Sequence, residues 1–168
     1  MSQKFKRSEI EKRLKILRID KKKLSKLNLD CAYGHTRNVI FLLDQNYEID
    51  EEDENCVTPL MIACMFGYTR LPELLINRGA DVNKPNKYGV TPLHMAACYG
   101  HLSTVQLLLY HGANESAEAD DFITPFDYTV NKFSPSYHKI KELLVFYAEK
   151  RSSEEILAIN EALAALIA

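Results

Sequence analysis

The chain has 168 residues, 46% of them hydrophobic, and a formal net charge of −2. That is enough apolar material to bury an extended core, with no apolar run of 18 or more residues that could cross a bilayer. The basic start also lacks the uninterrupted apolar stretch of a secretory signal, so a cytoplasmic or nuclear protein is expected.

The near-neutral total conceals an asymmetry. Residues 1–26 hold eleven Lys or Arg against three acids, which leaves ten against twenty in the remainder. Residues 1–24 predict a helix, because Ser8 and Glu11 have capping-box spacing and Ile10, Leu14 and Leu17 recur at helical intervals. Such a helix fits a cap stacked on the next element. It also fits a tethered basic arm, and Lys21-Lys22-Lys23 fits a nuclear-import or nucleic-acid element. The acidic remainder disfavours general nucleic-acid binding.

From residue 25 onward the chain repeats. Thr58-Pro59-Leu60, Thr91-Pro92-Leu93 and Thr124-Pro125-Phe126 are spaced 33 residues apart, and Gly67-Tyr68, Gly100-His101, Gly79-Ala80-Asp81 and Gly112-Ala113-Asn114 fall on the same grid. Units at 25–57, 58–90, 91–123 and 124–149 follow. In each, Ser or Thr predicts a helix N-cap; Pro59, Pro92 and Pro125 fit a first helical position, and Gly67 and Gly100 a left-handed stop. A second helix then carries a stacking face: Val39, Leu42 and Leu43; Leu74, Leu75 and Ile76; Val105, Leu108 and Leu109. The outer units depart from the pattern. Lys26, Asn28 and Asp30 make the first a degenerate cap, and Ile140, Leu143 and Leu144 lie 35 residues after Val105, Leu108 and Leu109, which implies two inserted residues. Residues 152–168 form an Ala-rich amphipathic segment with Ile156, Ile159, Leu163 and Leu166 at spacings of three and four. It reads as a cap, a self-association element or an engineered extension.

The run Thr91-Pro92-Leu93-His94-Met95-Ala96-Ala97, followed by Gly100-His101, Val105, Leu108-Leu109 and Gly112-Ala113, resembles the ankyrin repeat family over roughly residues 25–149. The resemblance implies an all-α repeat solenoid of about four repeats, each two antiparallel helices plus a β-hairpin, with helical extensions at both ends. It implies a non-catalytic protein-binding module, an adaptor or regulatory protein that recognises partners on its concave face.

That face is expected to carry a ring ladder, Tyr33, Phe66 and Tyr99, with Met65 and Cys98 beside it. The hairpin tips add charge. Glu52, Asp53 and Glu54 make the first tip acidic, Glu118, Asp120 and Asp121 the third, and Lys87 with Tyr88 makes the second basic and aromatic. A protein partner presenting apolar and basic groups on a helix or extended segment would suit this surface. Cys56 and Phe122 stand where the middle tip has Gly89, so the outer tips are expected to be reshaped if that position needs positive φ. His35, His94 and His101 belong to the repeat grid, and His111 and His138 lack metal-ligand spacing. Without a phosphate-binding loop or nucleophile elbow, no enzyme, cofactor, metal or small-molecule substrate is expected. Cys31, Cys56, Cys64 and Cys98 form no Cys-x-x-Cys pair and are expected as free thiols. The alternative function is a scaffold that self-associates through its terminal helices.

Overall fold

The computed structural model describes residues 7–16, 24–130 and 132–149. Among these residues lie eight α-helices: α1 (Arg7–Ile16), α2 (Lys26–Ala32), α3 (Thr36–Asp44), α4 (Pro59–Phe66), α5 (Arg70–Asn77), α6 (Pro92–Cys98), α7 (Leu102–Tyr110) and α8 (Pro135–Glu149). Helices α2, α4 and α6 stack in a row, each packing on its own successor, and α8 packs on α7. The caps follow the predicted chemistry. Ser25 Oγ accepts from the Asn28 N–H (3.1 Å) and Thr58 Oγ1 from the Met61 N–H (3.3 Å). Pro59 and Pro92 occupy positions whose N–H would have no intrahelical partner. Val39, Leu42, Leu75, Val105, Leu108 and Leu109 are buried in one continuous core, each contributing about 1.5–3 kcal/mol of transfer free energy.

The structure differs from expectation in three places. Ser8 sits inside the first turn of α1 and not ahead of it, so the capping box does not mark the helix start. Ile10 and Leu14 are nonetheless buried in the common core, while Leu17, Ile156, Ile159, Leu163 and Leu166 lie outside the described residues. In the fourth unit the first helix shrinks to a single 3-10 turn, Asp127–Thr129. There Asp127 Oδ2 accepts from both the N–H (2.8 Å) and Oγ1 (2.6 Å) of Thr124, which makes Thr124 a donor where Thr58 is an acceptor. Thr129 Oγ1 also donates back to the Phe126 carbonyl (2.6 Å). These local bonds compete with helix propagation. The connections between units are tight turns, with no strand among the described residues.

Four sets of hydrogen bonds repeat along the array. At the end of each first helix, a ring from the next unit donates to a terminal carbonyl: Tyr68 Oη to Ala32 O (3.0 Å), His101 Nε2 to Met65 O (3.1 Å) and Tyr137 Oη to Cys98 O (2.8 Å). After each second helix, Asp50 Oδ2 accepts from the Asp81 N–H (3.0 Å) and Asn83 Oδ1 from the Asn114 N–H (2.7 Å). At the tips, the Lys87 N–H donates to Asn55 O (3.1 Å) and the Asp120 N–H to Tyr88 O (2.9 Å). In the fourth set, His94 Nε2 donates to Ile123 O (3.1 Å) and Asn28 Nδ2 to Val57 O (3.2 Å). Asn28 therefore does the work of the motif histidine in a unit whose sequence looked degenerate.

The ring bracket explains the glycines. A Cβ on Gly67 would lie 2.4 Å from the His101 ring, and one on Gly100 would lie 2.8 Å from Tyr137. Both glycines also have positive φ, 67° and 74°. Gly79 has positive φ too, yet a Cβ there meets nothing within 4 Å. Gly67→Ala should therefore cost about 3 kcal/mol, combining left-handed strain with a displaced ring and its hydrogen bond, against about 1–2 kcal/mol for Gly79→Ala. Urea denaturation of the two variants measures the gap, and equal losses would remove the bracket from the account.

Candidate functional site

The candidate surface is built from the ends of α2, α4 and α6 together with the turns between units. The structure corrects the ring ladder. Phe66 is 0% exposed and Met65 1% exposed, so neither is on the surface. The helix α4 runs through Phe66 before Gly67 ends it. In the flanking units the helix stops one residue sooner, leaving Tyr33 and Tyr99 as C-cap residues. Those two rings are half-buried, with Cys98 half-buried beside Tyr99. Each ring of the column stacks on the residue two places later: Tyr33 on His35 (5.6 Å), Phe66 on Tyr68 (6.0 Å) and Tyr99 on His101 (6.3 Å). What reaches solvent is a pair of tyrosines two units apart, held by stacking.

The tips are more self-contained than their charge suggested. Glu52 Oε1 pairs with Lys84 Nζ at 2.8 Å, and this hydrogen bond, with a further one from Cys56, holds the Glu52 carboxyl below its ordinary range. The same bond to Glu52 raises the Lys84 ammonium pKa. Asp53 folds inward, its Oδ1 accepting from the N–H groups of Asn55 (2.8 Å) and Val57 (2.9 Å). Asn86 Oδ1 does the same for Tyr88 (2.9 Å) and Val90 (3.0 Å). Glu54, Lys87, Tyr88, Glu118, Asp120 and Asp121 remain exposed, with the Lys87 ammonium 4.9 Å from the Tyr88 ring centroid.

Cys56 and Phe122 adopt positive φ, both 58°, at the position Gly89 holds at 73°. The outer tips keep the glycine geometry, contrary to the expected reshaping. The third tip has Ala119 in place of Asp53 and Asn86, so it lacks their side-chain acceptor, and Asp121 is forced to positive φ as well. Sequence reasoning missed this acceptor column, although Asp53 and Asn86 are 33 residues apart and both are turn formers.

His94 is buried and fully engaged. Its Nδ1 accepts from the Thr91 N–H (3.1 Å), which assigns the proton to Nε2, the donor to Ile123 O. Burial pushes its pKa below the ordinary 6.5. Cys31, Cys56, Cys64 and Cys98 are free thiols, and burial raises the pKa of Cys31 and Cys64, in Cys31 with help from the Asp30 charge. High thiol pKa values make both poor nucleophiles. Among the described residues no group of three His, Cys, Asp or Glu side chains could hold a metal ion, and no helix is long and apolar enough to cross a membrane.

A family profile described as ankyrin repeats, in three copies, matches residues 27–119. No curated protein matches the chain.

The site generates two predictions. Phe122 is 81% exposed, so Phe122→Gly loses little burial and relieves left-handed strain. Net stabilisation of about 0.5–1 kcal/mol is expected after the extra chain entropy of glycine, and a loss in a denaturant titration would contradict it. For His94, protonation would set an Nδ1 proton against the Thr91 N–H. As pH falls below 6.5 the unfolded chain takes up a proton that the folded chain resists, so stability declines toward the depressed folded value. His94→Asn, which imitates Asn28, should show a shallower fall in melting temperature between pH 7 and 5.5. Parallel slopes would rule out His94 as the origin.

Proposed function

The chain belongs to the ankyrin repeat family, and on that premise we propose that it is a non-catalytic adaptor or regulatory protein that binds a protein partner on its concave face. The observation that carries the reading is the pair Tyr33 and Tyr99. The two rings share one repeat position, are half-buried and are braced by stacking on His35 and His101. Rings held in this way offer large contact area with little conformational entropy left to lose, which is the character of binding anchors. Tyr88, exposed on the middle tip beside Lys87, extends the apolar contact. Glu54, Glu118, Asp120 and Asp121 supply negative charge around it. A helix or extended segment with apolar side chains and basic groups fits this arrangement. Mechanism at such a surface is occlusion or tethering, and neither needs a reacting group.

Burial of Ile10 and Leu14 in the shared core takes up these two apolar residues of α1 within the chain. That observation counts against a contribution of Ile10 and Leu14 to self-association, the alternative reading.

Proteins captured from cell extract by the intact chain would be identified, then titrated calorimetrically against a Tyr33→Ala, Tyr99→Ala variant. Affinity should drop by about 1–4 kcal/mol while the melting transition stays close to that of the parent. Phe66→Ala should behave in the opposite way, losing about 3–5 kcal/mol of stability as a core cavity. Unchanged affinity in the folded double variant would remove the tyrosine pair from the interface.

A further inference from the structure

A groove of about 760 Å³ lies between residues 34–38, which span the turn after α2 and the start of α3, and residues 68–71, which span the turn after α4 and the start of α5. We propose that this groove binds an acidic, extended segment of a partner protein through Arg37 and Arg70.

Arg37 and Arg70 occupy the same repeat position 33 residues apart and both line the groove. The other arginine described within the repeats, Arg78, pairs with Asp44 at 2.9 Å, and Lys84 pairs with Glu52. Arg37 and Arg70 have no carboxylate within ion-pair distance among the described residues. The nearby carboxylate that could have served them, Asp30, is buried and already accepts from His35 Nδ1 (2.9 Å) and Asn38 Nδ2 (3.1 Å). Glu73, in the first turn of α5, is exposed and forms no ion pair with Arg70. Two unneutralised guanidinium groups thus share one concavity in a body that carries twenty acids against ten bases beyond residue 26. The walls add Thr36 and Thr69, and no side chain caps the first turn of α3 or α5. Oxygen acceptors entering the groove would meet the guanidinium and threonine hydroxyl donors, since the Thr36 and Asn38 N–H groups already donate to Gly34 O and His35 O.

The spacing indicates the ligand. Neighbouring helices lie about 8–10 Å apart, and in a polyproline-like extended peptide residues i and i+3 share a face at about 9 Å. Two carboxylates three residues apart would each meet one guanidinium, whose planar fork matches a carboxylate with two parallel bonds. A nucleic-acid or lipid surface fits less well, because the surrounding acids repel an extended polyanion.

The test is an NMR titration of the isotope-labelled full chain, at low salt, with a capped Pro/Ser peptide carrying two glutamates three residues apart. Amide shifts at residues 34–38 and 68–71 are expected, together with loss of at least tenfold in affinity in the Arg37→Gln, Arg70→Gln variant. The Arg37→Lys, Arg70→Lys variant should recover part of that loss, which a merely structural defect would not. The glutamine version of the peptide should give no shifts. Tyr99→Ala should leave the titration unaltered, which separates this groove from the tyrosine surface. Shifts confined to residues 1–26, full affinity in the Gln variant, or an equal response to inorganic phosphate would each overturn the proposal.

Discussion

The array depends on one carbonyl per unit and on the glycine that lets the next unit reach it. A helix ends with carbonyls that have no partner in the helix itself. Here the carbonyls of Ala32, Met65 and Cys98 are satisfied from the following unit by Tyr68, His101 and Tyr137. Each of those rings lies where a Cβ on Gly34, Gly67 or Gly100 would collide with it. One residue therefore reverses the chain and clears the seat for a neighbour, so intra-unit geometry and inter-unit stacking are not independently variable. The fourth unit shows how strongly this is retained. Its first helix is lost, its spacing shifts, and Tyr137 still reaches Cys98 O, with the Lys132 ammonium donating to the same carbonyl and lying 4.9 Å from the Tyr137 ring centroid.

Because adjacent units are bonded along several columns, charges that look like a binding code are partly consumed by the fold. Glu52 is joined to Lys84 in the next turn, Asp53 closes its own turn, and Asp50 bonds the backbone of Asp81. A solenoid is stabilised by nearest-neighbour terms, so polar residues at its joints serve the neighbour first. The surface left over is distributed: two braced tyrosines, a middle-tip ring among acids, and two arginines in a groove whose lining residue His35 also braces Tyr33.

Several features were legible from residue order alone. The 33-residue grid announced the helix pairs, Thr58 and Ser25 announced caps, and Val105, Leu108 and Leu109 announced a stacking face, whereas in the second unit Leu71, Pro72 and Leu75 are buried and Leu74 and Ile76 only partly so. Asn28 was read as a departure, yet its amide bonds Val57 O as the His94 imidazole bonds Ile123 O. Letter identity concealed an equivalent donor. Positive φ at Cys56 and Phe122 was likewise hidden, because a residue type states a preference while the inter-unit bonds at the tips impose the conformation.

Periodicity and capping chemistry, which act within a few residues, were enough to specify an all-helical stack of two-helix units. Exposure was not accessible to them. Tyr33, Phe66 and Tyr99 occupy one column, but the assembled array buries the central ring completely and leaves the other two half-covered, as α4 continues through Phe66 while α2 and α6 stop before their tyrosines. The pairing of Glu52 and the isolation of Arg37 and Arg70 were settled in the same way, by distances across units that residue order does not contain.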